Sequence, residues 1–315
     1  MIKYIIKRML WVIPVMIGVI AIVYTITYHM PGAPAVPRRN IATFGLNQPY
    51  IVQLGRYIWN VFTRLDLGSS YLSNFTIAQE LARRIPVTVK LSVLSILLML
   101  AVGLPCGMVS ALKQYSALDI GLTTFSLVMA AIPSYVLALL SCVLFGVVLR
   151  WLPPTGLTSW KSWILPVICS AAGGVATYTR MTRTAMLEVV RQEYIRTAKA
   201  KGLTSFNVVR RHALKNCMIT LTTVIGLFVA TVFSGSIIVE TIFNIPGMGL
   251  YLMDGILQRD YPIINGVVVV ISLLICIVNL LVDIAYAFID PRIKAQFTTP
   301  KQKEKMVQDI LRKEG

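Results

Sequence analysis

Residue types that perform catalysis are scarce in this chain and stand far apart. His29 and His212 are the only histidines among 315 residues, and each lies beyond the end of an apolar run. Hydrolysis needs a nucleophile and a base brought within hydrogen-bonding reach of each other. Two isolated imidazoles do not indicate such a pair, so no catalytic residue is predicted.

The sequence argues in the same way against metal and nucleotide sites. All five cysteines lie in or beside apolar runs, widely separated and without a close CxxC pair. Such cysteines are typical of small buried side chains rather than of a zinc site or a disulfide framework. The sequence has no Gly-Lys dipeptide, and it therefore lacks the GxxxxGK[ST] loop that cradles ATP phosphates. No metal or cofactor site is predicted on this chain.

One polar stretch has a spacing suited to mechanical contact rather than to bond-making. Residues 188–202 are rich in good helix formers and end on Gly202, the residue type that most readily adopts a left-handed helix cap. Thr204 and Ser205 then offer N-cap hydroxyls to a second helix through Phe206–Asn216. The pattern predicts a helix, a sharp turn and a second helix.

The faces of this stretch indicate what it could contact. Ala198 and Gly202 are four residues apart and share nearly the same face, where the lack of bulk would let a partner's backbone approach closely. The basic residues on the other faces could instead adsorb to anionic lipid, to which each Lys or Arg contributes about 1 kcal/mol. The residues alone leave docking and lipid adsorption equally open.

The elements around this stretch are predicted membrane spans. Of all residues, 56% are hydrophobic and 14% are charged, which is typical of lipid rather than water as solvent. The net charge of +17 is divided into short runs between apolar stretches, a distribution that does not favour nucleic-acid binding. Spans need about 20 apolar residues. Six runs qualify, approximately Met9–Tyr28, Val87–Leu112, Ile120–Leu149, Trp163–Thr182, Cys217–Val239 and Ile263–Ile289.

The distribution of basic residues predicts the orientation. With a cytoplasmic N-terminus, 20 of the 30 Lys and Arg residues fall on the cytoplasmic side, where basic residues near span ends are retained. The chain is thus predicted to be an all-α polytopic membrane protein with both termini cytoplasmic. Its parts are 1–30 with the first span, an external segment 31–86, a core of five spans 87–289 that includes a cytoplasmic loop 183–215, and a cytoplasmic tail 290–315.

The external segment is too long to be a plain turn, and long connections are usually functional. Within it, Tyr50–Leu65 carries apolar residues at helical spacing, namely Ile51, Leu54, Ile58, Val61 and Leu65. This spacing predicts an amphipathic helix that either lies on the outer face of the membrane or packs on its own protein.

Charged residues inside the spans are scarce, which argues against the runner-up class, a proton-coupled secondary transporter. Asp283 is the clearest of them and lies two helical turns before Asp290. We expect Asp283 near the cytoplasmic interface, where pairing or capping is favoured over a role in transport.

The stretch Glu193-Tyr-Ile-Arg-Thr-Ala-Lys-Ala-Lys-Gly-Leu203, followed by Arg211-His-Ala-Leu-Lys-Asn216, resembles the EAA loop of ABC-importer permeases in the dipeptide/oligopeptide/nickel family. The resemblance covers about 2–294 and is closest to the first permease of the pair, which has a long external segment after its first span. Further blocks are similar to that family in the same order, namely Asp66–Ser70, Ile132–Ser134, Val239–Phe243, Pro246–Gly249, Arg259–Pro262 and Asp290–Arg292.

The resemblance implies a type I ABC-importer permease fold with six transmembrane helices. In that family the loop enters a groove on a cytoplasmic ATPase, and residues 183–215 are therefore called the coupling loop below. Arg196, Thr197 and Ala198 take the places of the loop's Glu-Ala-Ala, with a departure at the first two, and Gly202 takes that of its Gly. The implied ATPase contacts are Glu193, Tyr194, Arg196, Thr197, Ala198, Lys199, Ala200, Lys201, Gly202 and Leu203.

By the same resemblance the chain is a non-catalytic subunit of a bacterial cytoplasmic membrane complex, surrounded by lipid. Its implied partners are a second related permease, one or two ATPase subunits that bind ATP and Mg²⁺, and an extracytoplasmic binding protein. The expected cargo is a di- or oligopeptide moved by alternating access, with nickel or another small solute left open. The binding protein is expected to dock near Tyr50, Leu54, Ile58, Pro246, Gly247 and Gly249.

Overall fold

The computed structural model describes residues 2–31, 36, 44–73 and 75–289, and helices dominate this part of the chain. The predicted tail 290–315 lies outside the described residues. Helical turns of other types include π-helical segments at Cys142–Val148 and Val209–Ala213. The α-helices are α1 Ile2–Tyr28, α2 Tyr50–Arg64, α3 Ile77–Leu112, α4 Ala117–Ala131, α5 Ser134–Ser141, α6 Ile164–Val190, α7 Glu193–Ala200, α8 Ser205–Val208, α9 Leu214–Ile242, α10 Met248–Gln258 and α11 Tyr261–Ile289.

Four of the described helices are long and apolar enough to cross a bilayer, namely Arg8–Tyr28 in α1, Ile77–Leu112 as α3, Thr220–Ile242 in α9 and Tyr261–Ile284 in α11. A bent pair, Ala117–Ala131 with Ser134–Val148, raises this number to five if it is one span. The fourth predicted run falls on α6, whose 27 residues extend about 40 Å. Because α6 is less apolar than those helices, the count of six spans stays a prediction, as does the placement of both termini.

Helix α3 begins ten residues before the apolar run that predicted it. A capping box starts the helix, because the Thr76 hydroxyl accepts from the Gln79 amide while the Gln79 side chain accepts from the Thr76 amide. The added turns are amphipathic, and Ile77 and Leu81 are buried in one apolar cluster with Met248. The end of the external segment is thus part of the packed bundle.

The predicted run Ile120–Leu149 is broken in the structure rather than straight. The bend between α4 and the helix that starts at Ser134 is 95°. Pro133 has no amide hydrogen and disfavours helical geometry in the residue before it, and Ile132 is accordingly extended at φ −80° and ψ 120°. Local chemistry therefore fixes the position of the break.

Helices α3 and α6 approach each other closely through glycine. A methyl group on Gly107 would lie 2.4 Å from Thr182 Cβ and 2.5 Å from the Thr179 carbonyl oxygen. Alongside this contact, Tyr178 and Met186 of α6 pack with Leu221 of α9 in one buried cluster. Because packed interiors deform little, α3 and α6 are expected to move together.

Candidate coupling site

The coupling loop is divided into short helices. Helix α6 ends at Val190, and α7 starts at Glu193 after a turn in which the Gln192 amide donates to the Val189 carbonyl at 3.1 Å. The predicted continuous helix over 188–202 is therefore wrong, because the chain bends between α6 and α7. The bend brings Ile195 of α7 into the buried cluster of the bundle. Burial of this apolar side chain stabilises the bent conformation.

The turn after α7 has the geometry that its residue types predicted. Gly202 adopts φ +79°, a left-handed conformation that glycine reaches without steric cost. The Asn207 amide then donates to the Thr204 hydroxyl at 3.4 Å as the chain enters α8. A methyl group on Gly202 would meet no atom of this chain within 4 Å. The turn is thus open on its outer side.

Ala198 does not form the open, small-residue face that its spacing with Gly202 predicted. Its residual exposure is 6%, and it belongs to the buried cluster that contains Ile195, Val208 and Cys217. Helix α7 ends at Ala200, so Gly202 lies beyond it and the two residues do not share a helix face. The small side chain of Ala198 therefore lets α7 pack on its own bundle.

Most other residues predicted to contact an ATPase lie on the surface. Glu193, Tyr194, Arg196, Thr197, Ala200, Lys201 and Gly202 are exposed, whereas Leu203 is half-buried against the cluster. Arg196 pairs with Glu193 at 3.1 Å across one helical turn. The Tyr194 hydroxyl accepts from Asn216 Nδ2 of α9 at 2.9 Å, which ties α7 to the start of that helix. The Lys199 side chain lies outside the described side chains.

A polar cluster beside the coupling loop was missed at the level of sequence. Asp119, in the first turn of α4, accepts from Arg183 Nε at 2.7 Å through Oδ1 and from Arg183 Nη2 at 2.8 Å through Oδ2. Ser110 of α3 donates to the same carboxylate, and the Tyr115 amide does so at 3.0 Å. The available signal was that Asp119 is the only acidic residue between Glu80 and Glu188.

The Pro246–Gly249 turn at the other end of α9 surrounds a buried carboxylate. Glu240 is fully buried, and its Oε2 accepts from the Gly249 amide at 2.6 Å and from the Leu250 amide at 3.2 Å. Methyl groups on Gly247 and Gly249 would lie 2.4 Å and 2.9 Å from the same oxygen. These glycines are required by the carboxylate and are buried, whereas Pro246 is exposed. Docking of a binding protein at this turn stays a prediction.

Helix α2 packs on its own protein, one of the two placements that its pattern left open. Leu54 and Ile58 are half-buried and contact a buried cluster that contains Met16 of α1 and Val269 of α11, so they face the bundle, and their predicted docking role stays a prediction. The Tyr50 hydroxyl lies 2.6 Å from Thr25 Oγ1. The exposed apolar side chains of α2 are instead Ile51, Val52, Trp59 and Phe62.

Asp283 of α11 pairs with a basic residue near the start of α1. Its Oδ2 lies 2.6 Å from Arg8 Nη1. The ion pair links the first and last described helices at the ends that the basic residues predict to be cytoplasmic. This geometry is that of a structural pairing.

The exposed loop between two long helices, with a bundle of apolar spans behind it, is the arrangement of a multi-pass membrane permease. The family model for binding-protein-dependent transport system inner membrane components matches residues 103–295. The chain belongs to this family, which confirms the predicted resemblance and places the protein in the bacterial inner membrane as a multi-pass permease.

Relatives along almost the full chain agree with this assignment. The dipeptide transport system permease protein DppB of Bacillus subtilis is 37% identical over 308 residues, covering 93% of this chain and 98% of its own. The oligopeptide transport system permease protein AppB of the same organism is 35% identical over 316 residues, covering 93% and 100%. A chain of the MetNI methionine ABC transporter in inward-facing conformations superposes with a TM-score of 0.60 at 18% identity, covering 68% of this chain and 98% of its own. This last match supports the type I importer fold.

Proposed function

We propose that this permease moves di- or oligopeptides into the cytoplasm. The observation that carries the proposal is its likeness to relatives named as dipeptide and oligopeptide permeases, at 35–37% identity over 93% of the chain. The same family blocks occur in order from Asp66–Ser70 to Asp290–Arg292. Peptide cargo is therefore proposed ahead of nickel or another small solute.

The energy for transport is proposed to come from partner subunits. The sequence lacks the phosphate-cradling loop of ATPases, so ATP and Mg²⁺ would be held by one or two separate ATPases. The exposed residues of α7 and the open turn at Gly202 form a surface that such a subunit could contact. A second related permease would complete the substrate path, and an external binding protein would deliver the cargo.

The close packing of α3 and α6 supports a rigid-body mechanism. ATP-driven closure of the partner subunits would displace the coupling loop, and α6 would carry that displacement into the packed α3–α6 unit. Reversing a 1:99 bias between two conformations needs about 5.5 kcal/mol of differential binding. Closure of two ATPase subunits on nucleotide would supply this differential binding.

Reconstitution tests the proposal directly. The chain would be co-expressed with its neighbouring permease, ATPases and binding protein, and uptake of labelled di- and tetrapeptides into proteoliposomes measured with and without ATP inside. We expect uptake only with ATP and binding protein together. Uptake of nickel but not peptides would reject the cargo, and uptake by this chain alone on a proton gradient would reject the whole mechanism.

A further inference from the structure

The Asp119–Arg183 ion pair joins three helices directly behind the coupling loop. Asp119 lies in the first turn of α4, Arg183 lies on α6, and Ser110 lies at the end of α3. Asp119 is 3% exposed, and the guanidinium meets its two oxygens through two parallel hydrogen bonds. Bidentate pairing of this kind fixes direction as well as distance, which a single ammonium group does not.

The same carboxylate also fixes the turn between α3 and α4. Tyr115 adopts φ +62°, which is unfavourable for a residue with a side chain. Its amide donates to Asp119 Oδ2, and the Asp119 amide in turn donates to the Ser116 hydroxyl at 3.3 Å. One buried carboxylate thus holds the strained turn, the start of α4 and the guanidinium of α6.

The position of the pair along the chain connects the loop with the broken span. Arg183 lies seven residues before Val190, the last residue of α6, which is about 10 Å along that helix, and α7 follows after the bend. On the Asp119 side, α4 runs to the 95° break before Ser134. The ion pair therefore lies between the coupling loop, which a partner subunit can displace, and the bent span that α4 begins.

We propose that Asp119 and Arg183 are positioning residues that transmit displacement of the coupling loop to α4 and the broken span. The α3–α6 contact at Gly107 and Thr182 makes α6 and α3 one unit, and the ion pair ties α4 to it. Without the pair, ATP hydrolysis would still move α6 while α4 would follow it incompletely. The inference rests on the proposed ATP-driven function.

The test uses the complete complex in proteoliposomes and measures peptide taken up per ATP hydrolysed. The variants are Asp119→Asn, Arg183→Lys, which keeps the charge but loses the fork, and the double variant Asp119→Asn/Arg183→Gln. We expect uptake per ATP to fall about tenfold in each single variant, within the usual range of coupling between sites. The double variant should be no worse than the singles, because two residues that act through one interaction are not additive.

The control is Glu80→Gln, which neutralises an acid paired with Arg84 at 3.1 Å within the single helix α3 and should leave uptake per ATP unchanged. If assembled variants of the Asp119 pair keep the wild-type ratio, the proposal is wrong. If Arg183→Lys and the milder Ser110→Ala prevent assembly, the pair holds the fold only, and the proposal is again wrong. Absence of ATP-driven uptake by the wild-type complex would instead reject the proposed function.

Discussion

Gly249 of α10 donates its amide hydrogen to the buried carboxylate of Glu240 in α9 at 2.6 Å, so the bond closes the turn between the two helices. Thr88 of α3 donates to the other oxygen at 2.7 Å and accepts from the Met248 amide at 2.9 Å. Three helices therefore meet at one carboxylate at the N-terminus of α10, where the amide dipoles favour a negative charge.

Replacing Gly249 by Ala is expected to destabilise the assembled complex. The new methyl group would lie 2.4 Å from the Ile237 Cα atom and 2.9 Å from Glu240 Oε2, and overpacking of this kind typically costs about 1–3 kcal/mol. Thermal unfolding in detergent would show a lower midpoint. The matched control is Gly55→Ala in α2, where no atom lies within 4 Å of the added methyl group. An unchanged midpoint for Gly249→Ala would contradict the observed packing.

Replacing Glu240 should separate the contribution of its side-chain volume from that of its hydrogen-bond-accepting oxygens. Glu240→Leu removes the acceptor of the Gly249 and Leu250 amides, and leaving buried donors unpaired costs about 1–3 kcal/mol each. Glu240→Gln keeps one acceptor oxygen for those amides and should lose less. We expect the melting midpoint to be highest for the wild type, lower for Glu240→Gln and lowest for Glu240→Leu. Equal midpoints for Glu240→Leu and the wild type would show that the hydrogen bonds to Glu240 do not stabilise the protein.

Gly202→Leu should uncouple ATP hydrolysis from peptide uptake. The φ of +79° at this residue costs an ordinary side chain about 1–2 kcal/mol. Gly202→Asn is the control, because asparagine tolerates the left-handed region. If backbone geometry is the cause, uptake per ATP should fall in Gly202→Leu and stay at the wild-type level in Gly202→Asn. A fall for both would indicate that an ATPase approaches the open side of the turn, and wild-type uptake by both would remove Gly202 from the coupling mechanism.

Neutralising exposed basic residues distinguishes ATPase docking from lipid adsorption. Arg196→Gln and Lys201→Gln would be assayed in nanodiscs with and without anionic lipid. Adsorption predicts a loss of activity that appears only with anionic lipid, since each basic residue contributes about 1 kcal/mol there. Docking predicts the same loss in both membranes, together with weaker pull-down of the ATPase, and this is the outcome that we expect.

The exposed side of α2 is the better candidate for binding-protein contact. Trp59→Ser and Phe62→Ser alter side chains that are 65% and 42% exposed, and they should lower ATPase stimulation by the binding protein without lowering the melting midpoint. Ile58→Ser, on the packed face, should instead lower the midpoint. If the two exposed variants were stimulated as strongly as wild type, α2 would not be a docking element.

Several features were determined by the sequence itself because they depend on local chemistry. Apolar runs long enough to span lipid predicted the positions of α1, α9 and α11, since every backbone group in a bilayer must be satisfied within a helix. The φ of Gly202 followed from the absence of a Cβ atom. The family followed from motifs in order, which the match over 103–295 confirms.

Only the tertiary structure decided which of these residues are buried within the chain. Ala198 was assigned to a contact from its small size and from the resemblance, and Gly247 and Gly249 were assigned to one by the resemblance, but small residues serve equally well wherever two parts of the same chain approach closely. The Asp119–Arg183 pair spans 64 residues, and no periodicity in the chain reports a contact at that separation. Its existence depends on the angle at which α4 and α6 cross, which arises from packing of the whole bundle.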